Sequence, residues 1–106
     1  MTDFLLVYKG GTMPETDEER AKVMGAWTEW FGQLGRAVED QGNPFTPVSK
    51  TITGDGSISD TAGSPPSTGY SMLTASSLDE AVDLAKGCPV LRGGASVEVY
   101  ETFPVM

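Results

Sequence analysis

The sequence predicts an α+β domain of ferredoxin-like class, with the element order β-α-β-β-α-β. Three observations predict it. Four segments rich in β-branched and aromatic residues are typical of strands, two segments with apolar residues at three- and four-residue steps are typical of helices, and each helical segment lies between two strand-like ones. In this arrangement the sheet is mainly antiparallel and carries both helices on one face.

The first strand is predicted over Asp3–Tyr8, which reads DFLLVY and is too short for a helix to be preferred. Its residues are apolar at successive positions rather than at alternate ones. Such a strand is typical of a sheet that is covered on both faces. Since both helices are expected on one face, a partner subunit could cover the other.

The first helix is predicted to begin after Thr16, which forms a capping box with Glu19. Apolar residues then recur with helical spacing as far as Gln41. These residues are Val23, Met24, Trp27, Trp30, Phe31, Leu34, Ala37 and Val38. Gly42 is the expected end of this helix, because glycine is favoured just after a helix C-terminus.

The second half of the chain repeats the pattern on a smaller scale. Ser77 and Glu80 form another capping box, which predicts a short helix that Gly87 ends. The flanking segments contain β-branched and aromatic residues. We therefore predict strands over Pro47–Thr53, Tyr70–Ala75 and Ala95–Phe103.

Residues 54–70, GDGSISDTAGSPPSTGY, connect the second and third predicted strands. Asp55-Gly56 is a favourable turn dipeptide, and the SIS that follows can extend a hairpin. A connection of this length in a compact domain is more often functional or mobile than structural. We expect residues 60–69, DTAGSPPSTG, to be a mobile rim of a cleft.

The composition indicates one domain over residues 1–106 and excludes several partners. The net charge of −8 repels nucleic acid phosphates and anionic lipids. No segment approaches the length of a membrane span or has the form of a signal peptide, so we expect a cytoplasmic protein. The chain has no histidine and one cysteine, Cys88. We therefore expect no metal site, no cofactor and no histidine-dependent nucleophile.

Four segments together resemble the YCII-related domain family, including its DGPF-type members. They are GAWTEWFGQLG, KTITGDGSISD, GYSMLTASSLDEAVDLAKGCP and SVEVYE. The resemblance implies a subunit that dimerises through its sheet into a dimeric α+β barrel, with a cleft between sheet and helices. Some members are thought to use a histidine and an aspartate. Asp60 matches that aspartate, but this chain reads DTAG in place of DGPF and has no histidine.

Five residues are candidates for the cleft. Trp27 and Trp30 share one side of the first helix, where they either pack in the core or form an apolar wall for a ligand. Asp60 is either a turn former or, as the resemblance implies, a catalytic proton-transfer group. Lys50 and Tyr70 border the long connection, where each could orient a ligand or be structural.

No motif in the sequence specifies a reaction. The resemblance and the candidate residues predict a homodimer that binds a small organic molecule in a helix-sheet cleft, with catalysis left open. A non-catalytic dimerisation or interaction module, which has lost the chemistry of the family together with its histidine, is the alternative of a different class. A cofactor-independent, monooxygenase-like enzyme is a further alternative and requires Asn43 or Tyr70 to face the cavity.

Overall fold

The computed structural model describes residues 1–11, 15–46, 48–60 and 66–105. The strands in these ranges are β1 (Thr2–Lys9), β2 (Val38–Asp40), β3 (Thr51–Ile52), β4 (Ile58–Ser59), β5 (Ser67–Ala75) and β6 (Ser96–Glu101). The helices are α1 (Asp17–Leu34) and α2 (Leu78–Ala85). Short 3₁₀ turns lie at Gly35–Ala37 and Pro89–Gly93. Neither α-helix is both long enough and apolar enough to cross a lipid bilayer.

Four of the strands form one antiparallel sheet in the order β2-β5-β1-β6. β1 is central and pairs with β5 on one side and with β6 on the other. β3 and β4 pair with each other as a separate hairpin. With α1 after β1 and α2 after β5, this is the ferredoxin-like topology. The predicted α+β fold class is confirmed.

Both helices pack on the same face of the sheet, where the core lies. Buried and partly buried residues alternate along β1 and β5, as the two-residue period of a strand requires. The buried strand residues are Phe4, Leu6, Tyr8, Ser71, Leu73 and Ala75. Trp30 of α1, Ala81 and Ala85 of α2, and Cys88 complete the core.

The opposite face of the sheet carries neither helix, and its centre is apolar. Leu5 of β1 lies between Met72 of β5 and Tyr100 of β6, and Val7 lies opposite Tyr70. We call these five residues the open face. Tyr100 is 49% exposed, and the other four are partly buried. The prediction that the first strand is apolar on both sides is confirmed.

Side chains cap both helices at their first turns, as the sequence predicts. The N–H of Glu19 donates to Thr16 Oγ1 over 3.0 Å, and the N–H of Glu80 donates to Ser77 Oγ over 3.2 Å. Each glutamate in turn accepts a hydrogen bond from the backbone N–H of the residue before the cap. Such caps satisfy N–H groups that have no partner within the helix.

The predicted end of the first helix at Gln41 is wrong, because α1 ends at Leu34. Gly35 follows with φ of +55°, and its N–H donates to the carbonyl oxygen of Phe31. That left-handed conformation favours glycine and turns the chain out of the helix. Val38 continues the helical spacing in the sequence, but it lies in β2.

Gly42 does not cap a helix, contrary to the prediction, and follows β2 instead. It has φ of +71°, and its N–H donates to the side chain of Asp40 over 2.8 Å. A Cβ at this position would overlap the carbonyl oxygen of Tyr70. Glycine is therefore required here by the close approach of the chain to β5.

The prediction of a sheet strand over Pro47–Thr53 is also wrong. The edge strand of the main sheet is β2, in which Val38 pairs with Leu73 of β5. Within the predicted segment only β3 is a strand, and it pairs with β4. Pro47 lies outside the described residues. The order of elements is preserved because β2 replaces the predicted strand at the same place in the topology.

The hairpin predicted around Asp55-Gly56 is confirmed. Gly56 has φ of +87°, and the N–H of Thr53 donates to the carbonyl oxygen of Ser57 over 2.9 Å. A hydrogen bond from the Thr53 hydroxyl, followed by one from the backbone N–H of Ser57, lowers the pKa of Asp55 to about 2. Of the predicted mobile rim, residues 61–65 lie outside the described residues, and residues 67–69 belong to β5.

The remaining elements agree with the sequence. The third predicted strand begins earlier than expected, at Ser67, and ends at Ala75. α2 lies between Ser77 and Gly87, as predicted, and β6 lies within the predicted last strand.

Candidate functional site

A cleft of about 590 Å³ lies between α1 and the edge strand β2. It follows from the turn at Gly35, which brings the chain back alongside the helix that it has just left. One helical face supplies one wall, because positions three and four apart on a helix lie side by side. The lining includes Trp27, Thr28, Phe31 and Gly32 of α1 and, after the turn, Val38, Glu39 and Gln41.

Trp27 belongs to an aromatic cluster at the boundary between cleft and core. Its ring meets Tyr8 edge-on at a centroid distance of 5.2 Å and Trp30 edge-on at 5.6 Å. Phe31 lies 5.6 Å from it at a tilt of 37°. Edge-on and tilted arrangements are the favourable geometries for aromatic pairs. The cluster therefore holds the partly buried Trp27 in place while it lines the cleft.

Trp30 lies behind this wall and belongs to the core. It is 4% exposed, and its Nε1–H donates to the carbonyl oxygen of Leu84 in α2 over 3.2 Å. Gly87 leaves room for the indole, since a Cβ there would lie 3.2 Å from the ring. Trp30 thus joins the two helices, and Trp27 is the tryptophan that reaches the cleft.

The polar groups of the lining are few. The hydroxyl of Thr28 donates to the carbonyl oxygen of Met24 over 2.9 Å. The carboxylate of Glu39 forms no ion pair with a described residue. Among the described lining residues Glu39 is the one charged side chain. The cleft therefore combines an apolar aromatic wall with a single negative charge.

A chain of buried hydrogen bonds lies behind the cleft. The hydroxyl of Tyr8 donates to Ser71 Oγ over 2.7 Å, and Ser71 donates to the carbonyl oxygen of Gln41 over 2.7 Å. Burial raises the pKa of the Tyr8 phenol above its usual range. Tyr8 is therefore protonated at neutral pH, and this series of hydrogen bonds holds the backbone of Gln41, which lines the cleft.

Asp60 and Lys50 are brought together, but away from this cleft. Lys50 Nζ lies 2.9 Å from Asp60 Oδ1 across the ends of the β3-β4 hairpin. Their side chains are 65% and 85% exposed. Neither residue is among those that line the cleft. The exposed ion pair links the two ends of the hairpin.

Tyr70 lies on the open face of the sheet, opposite Val7. Its ring stacks on Phe45 with a centroid distance of 5.9 Å and an angle of 27°. Phe45 in turn lines a second, smaller groove of about 440 Å³ with Pro44, Val48 and Pro66. Tyr70 and Trp27 therefore lie on opposite faces of the sheet.

Cys88 is an unreactive core thiol, as its position after a helix predicts. It is 2% exposed, and burial raises its pKa to about 11. A thiol of this kind is not a nucleophile at neutral pH. Among the described residues, no three histidine, cysteine, aspartate or glutamate side chains are grouped closely enough to hold a metal ion.

Sequence reasoning identified Trp27 among the lining residues but missed others, including Phe31, Glu39 and Gln41. Phe31 has the helical spacing of Trp27, and that spacing could have identified it. Glu39 and Gln41 were hidden because the predicted helix included them. Once the helix ends at Gly35, both residues lie beside α1 rather than on it.

The chain is thus a ferredoxin-like α+β domain with a cleft between its first helix and an edge strand. No model of a known protein family matches it, and neither does any curated protein. A solved structure that is similar is 5-chloro-2-hydroxyhydroquinone dehydrochlorinase (TftG) from Burkholderia phenoliruptrix AC1100, in complex with 2,5-dihydroxybenzoquinone. The identity is 20% over 90% of each chain, with a TM-score of 0.49. At this level of similarity nothing about the activity of that enzyme transfers to this chain.

Proposed function

We propose that the chain is a YCII-related protein that forms a homodimer and binds a small organic molecule in the cleft between α1 and β2. The observation that carries the ligand-binding proposal is the cleft itself. Its volume of about 590 Å³ lies within the range of small-molecule sites, and an aromatic wall with a few polar groups is their usual lining.

The open face supports the homodimer. Its apolar centre, formed by Leu5, Val7, Tyr70, Met72 and Tyr100, is the kind of surface that one copy can bury against another.

Gly32 offers a direct test of the cleft. A Cβ at Gly32 would meet no atom within 4 Å, so the side chain of Gly32→Leu can occupy the cleft without a clash with neighbouring atoms. Gly25→Leu is the matched control, because Gly25 lies on the same helix, is equally unobstructed and does not line the cleft. A metabolite library is screened by thermal shift against wild type and both variants.

We expect a metabolite that stabilises wild type and Gly25→Leu but not Gly32→Leu. Saturation at a hundredfold the dissociation constant adds about 2.7 kcal/mol to the free energy of unfolding. The cleft is not a binding site if no library compound stabilises the wild type. The same conclusion follows if every compound that stabilises the wild type also stabilises Gly25→Leu and Gly32→Leu to the same extent.

Sedimentation tests the dimer separately. Leu5→Lys places a charge between Met72 and Tyr100 of the open face and should convert a micromolar dimer to monomer. Val23→Lys, on the exposed side of α1, is the control and should leave the dimer intact. A wild-type monomer at micromolar concentration would refute the homodimer, while the cleft, formed within one chain, would be unaffected.

A non-catalytic interaction module is the second candidate, and the position of Asp60 favours it. The carboxylate that the resemblance implies for catalysis pairs with Lys50 on an exposed hairpin. A ligand that binds with unchanged affinity to Trp27→Phe, or no ligand at all, together with a stable dimer, would support this candidate.

A further inference from the structure

We infer that the ligand of this cleft is an organic cation, an alkyl or aryl ammonium compound with an apolar body. The inference rests on the proposed function and names the chemical class that the cleft accepts. Three observations carry it: the aromatic wall, the charge of the lining and the absence of a basic side chain among the described residues that line the cleft.

The aromatic wall matches an ammonium group as well as an apolar body. The rings of Trp27 and Phe31 both line the cleft and lie 5.6 Å apart at a tilt of 37°. Aromatic faces attract cations through their quadrupole, and tryptophan does so most strongly. The other ring contacts of Trp27, with Tyr8 and Trp30, are edge-on and hold its plane in a fixed orientation.

The charge of the lining selects the same ligand. Glu39 is the one ionisable side chain among the described residues that line the cleft, and it forms no ion pair with a described residue. A carboxylate beside aromatic rings can neutralise an ammonium group that these rings contact. An anionic ligand would meet this carboxylate with no lining cation to offset the repulsion.

Basic residues elsewhere do not change this selection. Arg36 is the nearest in sequence, in the 3₁₀ turn that precedes β2, but it does not line the cleft. The chain as a whole has a net charge of −8, which raises the local concentration of cations and lowers that of anions. Long-range and local electrostatics therefore favour a cation together.

Three probes with the same ring and different charge test the inference: phenethylamine (cationic), 2-phenylethanol (neutral) and 3-phenylpropionate (anionic). Their binding to the full chain at pH 7 is measured by NMR chemical-shift titration. We expect phenethylamine to bind about tenfold more tightly than 2-phenylethanol, and 3-phenylpropionate to bind most weakly. The preference should shrink in 1 M salt, because screening weakens partly exposed charge interactions.

Two charge variants assign the preference to the cleft. Glu39→Gln should reduce the phenethylamine preference to about threefold or less while 2-phenylethanol binds as before. Arg36→Gln removes a neighbouring positive charge and should preserve or increase the preference. Equal binding of the three probes, tighter binding of 3-phenylpropionate, or a phenethylamine preference that is as large in Glu39→Gln as in wild type would overturn the inference.

The same titration separates the inference from the proposed function. If 2-phenylethanol or 3-phenylpropionate binds at the cleft at least as tightly as phenethylamine, and Gly32→Leu abolishes that binding, the cleft is a ligand site and only the cation class is wrong. If none of the probes binds and the thermal-shift library also yields no ligand, both proposals fail.

Discussion

Tyr8 and Ser71 are joined by a 2.7 Å hydrogen bond between neighbouring strands in the core, with both side chains buried. Ser71 in turn donates to the carbonyl oxygen of Gln41, one of the residues that line the cleft. The order of donors is fixed: Tyr8 donates to Ser71, and Ser71 donates to the backbone. The two hydroxyls therefore have different consequences when they are removed.

Ser71→Ala should destabilise the protein more than Tyr8→Phe. Ser71→Ala removes the acceptor of the buried Tyr8 hydroxyl and a donor to Gln41, at a cost of about 1–3 kcal/mol. Tyr8→Phe leaves Ser71 able to donate, at a cost of about 1 kcal/mol. The double variant should cost less than the sum of the two, because no tyrosine hydroxyl then lacks a partner. Urea unfolding measures all three, and additive losses would contradict this account.

The core should lose stability at alkaline pH. Burial raises the pKa of Cys88 from 9.0 to about 11 and raises that of Tyr8 as well. Above pH 9 the unfolded chain therefore binds fewer protons than the folded one, so the free energy of unfolding falls as pH rises. Below pH 9 this contribution is fully present. The slope approaches about 1.4 kcal/mol per pH unit for each group.

Cys88→Ala separates the two groups. In this variant the decline should begin about one pH unit later, because the pKa of tyrosine in the unfolded chain, 10.0, is one unit above that of cysteine. Urea unfolding at intervals between pH 7 and 11 gives the profile. An identical profile for wild type and Cys88→Ala would show that the thiol does not contribute.

Local signals predicted the fold because the structure uses them directly. The two caps at Thr16 and Ser77 start helices where the sequence indicates, and the alternation of β5 fills the core. The end of α1 could not be predicted by period alone. Leu34 and Val38 are four residues apart and fit one helical face, yet the left-handed φ of Gly35 separates them.

The candidate site was predicted only in part for the same reason. Trp27 was identified from its helical spacing and lines the cleft. The predicted helix included Glu39, and its place in the same cleft lining as Trp27 depends on a turn at Gly35 that the helical spacing does not reveal. The pairing of Asp60 with Lys50 depends on the register of the hairpin, which the sequence specifies only at the Asp55-Gly56 turn.

Gly42 should be less tolerant of replacement by alanine than Gly56. Gly42 and Gly56 have φ of +71° and +87°, so alanine at either position adopts a left-handed conformation at about 1–2 kcal/mol. At Gly56 the new Cβ meets no atom within 4 Å. At Gly42 it overlaps the carbonyl oxygen of Tyr70, so Gly42→Ala should lower the free energy of unfolding by about 2 kcal/mol more than Gly56→Ala does. Equal losses in urea unfolding would argue against the close approach of the two chain segments.

Asp60→Asn should have little effect on stability. Its ion pair with Lys50 is exposed, and exposed pairs contribute about 0–1 kcal/mol. The variant therefore tests the prediction that Asp60 transfers protons, since loss of turnover would not follow from unfolding. Lys50→Gln breaks the same ion pair but retains the carboxylate and is the matched control. Once a substrate is found, equal turnover by wild type and Asp60→Asn would refute a catalytic role.

Trp27 and Trp30 should separate ligand binding from stability. Trp30→Phe removes buried volume and the hydrogen bond to Leu84, which should lower the free energy of unfolding by about 2 kcal/mol. Its ring does not line the cleft, so phenethylamine should bind as tightly as to wild type. Trp27→Phe keeps an aromatic wall and should cost less than about 1 kcal/mol in stability, but it replaces the ring that attracts cations most strongly. Its phenethylamine affinity should fall several-fold. Urea unfolding of the two variants gives their stabilities, and NMR titration gives their phenethylamine affinities. If Trp30→Phe lost affinity and Trp27→Phe did not, Trp30 rather than Trp27 would face the ligand.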